Sequence, residues 1–564
     1  MKMQWLSKVR ICLLLAVFMG LHLASFAQSD SDAKSPATFT YAIKNATIVQ
    51  GPGRVMEGGT VLIKDGLITA VGKSVNIPVG AYQIDGTGMY VYPGFIDGFS
   101  QVGVKRAENP ERPRDLKPSD PPNEFAGITP QNHVRDYLEP SSKGFDDMRK
   151  AGFTAGQVAP NGRMLPGKSA VILFSDKPHA DHLIVKNDVA MFAQLTGAQG
   201  VYPSTVIAVM SKWRELYKNA ELSMANERLY ASNAANKARP VKDRVLEAFY
   251  PVVSKQQPVV FHTPNQLDMR RALALQSETG FRIILTNVKQ GWGMEDAIKK
   301  ANASVLLSLE LPEEKKPSDK EVSAEIKGRE EKRVEAYANY VQFPAAYEKA
   351  GIKFAFSTVS TSPSAIKKNI KTLIDNGLSE NAALAALTTV PAEMLGVSGM
   401  MGTVDAGKIG NIIVTTAPYF NEESDVKFAF VEGNMFEYEP RPARRPDAAN
   451  NGAASAASAS VNVTGKWEYT AETPMGASDG TMTITKNGDE YGGTMTFGMA
   501  GANNQLPLRD VVVEGNSLRF AVMIEMGGQS ISLRINGTVE GDNFRGTMDT
   551  GNFGSFNLRA KKIE

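Results

Sequence analysis

Past residue 38 the chain reads as short apolar/polar alternations broken by glycine turns. Residues 42–49, 59–64 and 67–71 each alternate with the period of two expected of half-buried strands. They are split by Gly51-Pro52-Gly53 and by Asp65-Gly66, and an Asp-Gly pair between two such runs predicts a tight hairpin. Residues 90–96 form an apolar, β-favouring run interrupted by Pro93-Gly94 and followed by the polar cluster from Asp97 to Gln101. That pattern predicts a buried strand whose C-terminal end opens on a site.

From there to about residue 390 strand-like and helix-like stretches take turns. Residues 153–160, 170–174, 258–262, 282–287, 304–309 and 353–358 are candidate strands. Residues 267–278, 294–301, 365–376 and 380–387 carry helical periodicity. Such alternation predicts a parallel barrel wrapped by helices, with its site at the C-terminal ends of the strands. Residues 105–130 are rich in proline and mixed in charge, so they predict a long loop after the first barrel strand, either solvated or folded over the mouth. Residues 313–333 mix Lys and Glu densely, and predict an exposed helix supported by opposite-charge pairs.

Residues 441–460 are Arg, Pro, Ala, Ser and Asn in low-complexity order and predict a linker. Beyond them, residues 465–561 hold about eight short alternating runs divided by Gly, Asn and Asp, the signature of a small antiparallel barrel or sandwich. Gly465-Lys466-Trp467 at its start is faintly similar to lipocalin-like modules. Its interior could be hollow or filled.

Composition narrows the function classes. With 42% hydrophobic and 22% charged residues over 564 positions, the chain suits a soluble protein of two or three domains. Lys+Arg 62 against Asp+Glu 60 leaves little net charge, which argues against a nucleic-acid partner. Lys2, Lys8 and Arg10 precede an apolar run from Ile11 to Ala24 and the small residues around Ala27. These predict a signal peptide over 1–27, cleaved after Ala27, and hence a periplasmic or secreted protein with no membrane anchor. The single cysteine, Cys12, lies in that segment, so the mature chain has no disulfide and no thiolate chemistry.

Several phrases, in order, resemble the amidohydrolase superfamily. They are Pro93-Gly94-Phe95-Ile96-Asp97, the stretch 377–396 and the stretch 402–414, so the resemblance spans roughly residues 40–438. It implies an α/β fold: a (β/α)8 TIM-like barrel over 91–400, flanked by a small composite β-sandwich whose halves are 28–90 and 401–440. A separate all-β domain at 461–564 completes the expected architecture. In the family the first strand ends in His-x-His. A third His follows the fifth strand, a fourth follows the sixth, and an Asp follows the eighth; together they hold a divalent metal for C–N bond hydrolysis.

Here the first-strand pair is Phe99 and Gln101. His262 keeps the fifth-strand slot, Asn287 (or Thr286) takes the sixth, and Thr358 (or Val359) the eighth. Asp97 matches the family's structural aspartate. One imidazole without a carboxylate holds no catalytic ion, so no metal and no cofactor is expected. Zn²⁺ would enter only through relocated donors, and His179 and His182, three apart, are the one such pair.

The resemblance thus implies a secreted amidohydrolase-family protein that has lost metal-dependent hydrolysis and acts as a binding or partner subunit. Phe99, Gln101, His262, Asn287 and Thr358 are its pocket candidates. Expected partners are a small amide-like ligand, a second copy, or an intact homologue. The alternative is an active hydrolase acting on C–N bonds of small cyclic amides or peptide-like compounds. A further reading gives the function to the C-terminal β module and leaves the barrel as scaffold.

Overall fold

The structure is a computed structural model. It describes residues 40–106, 113–314, 323–441 and 462–563, apart from short stretches at 474–475, 488–489, 497–504, 515–516, 527–528 and 550–554. The expected signal peptide, and the expected linker beyond Arg441, fall outside the described residues. The chain divides into two compact units, residues 1–443 and 444–564.

In the first unit, β1 (Thr40–Gly51), β2 (Arg54–Lys64) and β3 (Leu67–Gly72) form an antiparallel meander. Asp65 and Gly66 join β2 to β3 with φ of 49° and 81°, the positive pair that a type I′ turn requires. β4 (Tyr82–Asp85) and β5 (Tyr90–Pro93) pair in parallel with β1. The closing strands come from more than 300 residues downstream (from Pro93 to Ile412), for β14 (Ile412–Thr415) lies antiparallel to β5. β15 (Val426–Val431) and β16 (Asn434–Glu437) follow as a hairpin turned at Glu432-Gly433. The two halves share one core in which Ile43, Ile63 and Val91 meet Ile412, Val414 and Phe430.

The run 90–96 is two strands, not one. Gly94 divides them, and a side chain there would drive into the Thr154 side chain. The barrel therefore begins at Phe95, two residues beyond the sandwich strand β5, and not at residue 91.

Its eight strands are β6 (Phe95–Ser100), β7 (Phe153–Val158), β8 (Gly167–Leu173), β9 (Ile184–Gln194), β10 (Val259–His262), β11 (Ile283–Val288), β12 (Ser304–Ser308) and β13 (Phe354–Ser357), neighbours in that order. Seven run parallel. β8 runs antiparallel to both neighbours, so the second, third and fourth strands make a meander where a regular barrel would place helices. β9 escaped the sequence reading because Lys186-Asn187-Asp188 in its first half is polar, with Lys186 and Asn187 exposed and Asp188 at φ 51°.

The wall around β8 is covered by the proline-rich connection. Its Ala126, Ile128, Val134 and Leu138 are buried in the main core, Ile128 bridges to Leu165, and His133 bridges to Lys168. Of the described part of that connection, residues 126–130 pack against the wall, while most of residues 113–120 are exposed.

Helices cover the other strands. α1 (Lys143–Lys150) precedes β7. α2 (Val206–Ser232) and α3 (Arg244–Val253) lie between β9 and β10, and Trp213 of α2 sits among the rings of Phe249, Phe261 and Phe281 at 5.1–5.7 Å. α4 (Gln266–Thr279) and α5 (Glu295–Lys300) follow β10 and β11. α6 (Ala324–Lys349) follows β12. It begins where the Ser323 hydroxyl accepts from Ile326 N, and among the described residues of the charged stretch 313–333 the helix covers residues from 324 onward. α7 (Pro363–Asp375), α8 (Glu380–Leu387) and α9 (Thr389–Met394) complete the unit, and Met394 reaches the barrel interior.

The second unit is a nine-stranded antiparallel sheet rolled nearly into a barrel. β17 (Gly465–Thr473) pairs with both β18 (Gly476–Asn487) and β25 (Ser555–Lys562). β19 to β24 are Glu490–Thr496, Gln505–Pro507, Arg509–Glu514, Ser517–Met526, Gln529–Glu540 and Asn543–Asp549. Its interior is filled. Trp467, Tyr469, Phe520, Ile535, Phe544 and Leu558 are buried in one cluster, and the Trp467 indole donates to Val463 O at 3.0 Å.

Candidate functional site

Alternation along the barrel strands decides what faces inward. On β10, Val259 and Phe261 join the outer core while Val260 joins the barrel interior, which turns His262 inward as well. On β6 the ring of Phe99 enters the same interior cluster with Phe192, Ile284, Leu306 and Ala355. Phe99 and Phe192 lie 4.9 Å apart, and Phe99 is 1% exposed. Phe99 is therefore an aromatic packing contact inside the barrel.

The remaining candidates form two separate hydrogen-bonded groups. One closes the seam between the first and eighth strands. The Thr358 hydroxyl donates to Asp97 Oδ2, Thr358 N and Phe99 N both donate to Asp97 Oδ1 at 3.2 Å, and the Ser357 hydroxyl donates to Phe99 O at 2.8 Å. Asp97 is completely buried, and burial pushes its carboxyl up to about 7 despite the bonds from Thr358, Phe99 and Ser100.

The other group joins the fifth and sixth strands. Asn287 Nδ2 stands 3.0 Å from His262 Nε2. Asn287 has φ 55°, and the ladder between β11 and β12 breaks between Leu285 and Val288, so the side chain is carried across to its neighbour. Burial, and secondarily the Lys289 ammonium, holds His262 below the usual imidazole range, against the smaller pull of Asp268. A neutral ring accepting at Nε2 carries its proton on Nδ1. Thr286, the in-register neighbour of His262, has a buried hydroxyl with no partner, as does Asn287 Oδ1.

The strand ends thus bring His262 and Asn287 into direct contact and tie Thr358 to Phe99 through Asp97. Gln101 is half-buried, and its backbone carbonyl accepts from Val104 N at 3.3 Å. Gln194, on the strand the sequence reading missed, pairs in register with His262, and its amide donates to Gly162 O at 2.6 Å. Lys289 and Glu310, 2.6 Å apart, form an ion pair after the sixth and seventh strands.

These residues do not fit a divalent metal. The set offers one imidazole, two carboxamides, a hydroxyl and a phenyl ring; the imidazole is bonded to Asn287 and the hydroxyl to Asp97. Among the described residues, no group of three or more His, Cys, Asp or Glu side chains is placed to hold an ion. His179 and His182 stand edge to face at 5.5 Å on an exposed turn, and Asp181 between them is paired with Arg135 at 2.9 Å.

No family model matches the sequence, and no curated protein matches it. Among solved structures, an amidohydrolase from Thermotoga maritima MSB8 aligns with 71% of this chain and 100% of its own, at 20% identity and a TM-score of 0.59. The first unit therefore has the amidohydrolase fold. A Xaa-Pro dipeptidase with methionine bound in its active site (71% of this chain, 100% of that one, 14% identity, TM-score 0.41) and molinate hydrolase (73%, 99%, 14%, 0.41) also align, too loosely to carry any argument.

Proposed function

We propose that the protein is an exported member of the amidohydrolase superfamily that has lost metal-dependent C–N hydrolysis and uses the strand-end region to bind a small amide-like ligand or an intact homologue. One observation carries this reading: of the five slots that hold metal ligands in the family, only His262 retains a metal-binding side chain, and it is engaged by Asn287. A Lewis acid there would need Asn287 displaced and donors supplied where Phe99 and Thr358 stand. Carboxamide and hydroxyl groups around a neutral imidazole suit hydrogen bonding to an uncharged amide better than polarisation of its carbonyl. An amidohydrolase fold alone does not assign an activity.

Elemental analysis of the purified protein tests the claim. Zinc, manganese or iron below about a tenth of the protein concentration supports it. Stoichiometric metal together with turnover of imides, hydantoins or acyl-amino acids, abolished by His262→Ala, would restore the hydrolase alternative.

A further inference from the structure

The outer face of the second unit carries a groove of about 740 Å³ across β18, β17, β25 and β24. Alternation fixes what lines it. Trp467, Tyr469, Phe544, Leu558 and Ala560 are buried in the interior cluster, so Glu468, Thr470, Arg545, Arg559 and Lys561 point outward, and all five are exposed. One row across the four strands reads Arg545, Arg559, Thr470, Asp479, and the next reads Asn543, Lys561, Glu468, Thr481. The cations of the groove thus stand on β24 and β25, and its carboxylates on β17 and β18.

Arg545 and Arg559 are direct partners in the ladder, an arrangement in which like charges destabilise a sheet. Among the described residues neither guanidinium has a carboxylate within ion-pair distance. The acid in their own row, Asp479, lies two strands from Arg559 and accepts from the Thr470 hydroxyl at 2.7 Å. Two guanidinium groups side by side match the paired oxygens of a carboxylate. The acidic half of the groove repels the remainder of a polyanion and attracts an ammonium. With strands about 4.8 Å apart, Asp479 stands about 10 Å from Arg559 and about 14 Å from Arg545 along the row. An extended chain covers about 3.4 Å per residue, so roughly three or four residues with free ends span that distance.

We propose that this groove binds short peptides with free termini, the carboxylate seated between Arg545 and Arg559 and the ammonium turned toward Asp479. Lys561 and Glu468, opposite each other at the seam between the two halves, offset one another. Neither a nucleic acid nor any other polyanion fits such a divided surface. This stands apart from the strand-end reading and does not depend on it.

The test is a ligand-observed NMR titration of the full chain with tetraalanine at low ionic strength, where surface charges are least screened. Saturable binding is expected, weakened about tenfold or more by N-acetylation of the peptide or by amidation of its C-terminus. Arg545→Gln and Arg559→Gln should each weaken it by about the same factor. Each should leave the thermal transition of the unliganded protein unchanged or higher, because it removes a like-charge contact. Asp479→Asn should abolish the penalty for acetylation and keep the penalty for amidation. Absence of saturable binding, equal binding of the doubly blocked peptide, or undiminished binding to both arginine variants would overturn the proposal. So would self-association of the chain that is lost in Arg559→Gln while no peptide binds, which would assign the face to a second copy.

Discussion

At the residue scale, Asp97 has the clearest thermodynamic signature. Its carboxyl titrates near 3.8 when exposed and near 7 in the fold, with burial the cause. Below about pH 4 it is protonated in both states and opposes nothing. As pH rises toward 7 the unfolded chain ionises while the folded one does not, so this contribution to stability is lost across that window and then levels off. The span is on the order of 4 kcal/mol. Urea midpoints measured from pH 4 to 8 should fall for the parent protein and change much less for Asp97→Asn, whose amide still accepts from Phe99 and Thr358 amides.

Phe99→Ala should cost about 3–5 kcal/mol in the same assay, since the ring packs on Phe192 in a closed interior. Asn287 sits at φ 55°, a conformation costing a side-chain-bearing residue roughly 1–2 kcal/mol, and most for a β-branched one. Asn287→Val should therefore lower the thermal midpoint more than Asn287→Gly, although both lose the bond to His262.

At the scale of elements, the barrel strands with continuous apolar runs were readable. Phe261 and Val259 face helices, and Val260 faces the interior, so β10 is apolar throughout and ends in a lone polar residue. β9 was not readable, because the polar Lys186-Asn187-Asp188 in its first half reads as a loop. The reversal of β8 was equally hidden, since a strand buried on both faces carries the same pattern in either direction. Of the candidate site, the place of His262 at a strand end was legible from the apolar run before it. The pairing of Asn287 with His262 was not, because it depends on a backbone kink that no spacing rule encodes.

α6 offers a check at this scale. Its first turns are exposed and charged, while Val341, Phe343 and Tyr347 anchor the end. Amide hydrogen exchange should be fast over residues 324–335 and slow over residues 341–349.

At the scale of the whole molecule, the two units have separate cores, one around the barrel and sandwich and one around Trp467. Residues 444–564 produced alone should unfold cooperatively, with the emission of their single tryptophan shifting to the red at the transition. A gradual shift, or solvent-like emission at the outset, would show that this core needs the rest of the chain.

The sandwich halves carry a consequence for biosynthesis. β5 is flanked by β1 from the outset, but its other edge waits for β14, and Phe99 O waits for Ser357, 258 residues further on. A ribosome at about ten residues per second leaves that β5 edge unpaired for roughly half a minute. A nascent chain stalled before residue 412 would present an open hydrogen-bonding edge beside Val91 and Tyr92, a template for association with other incomplete chains.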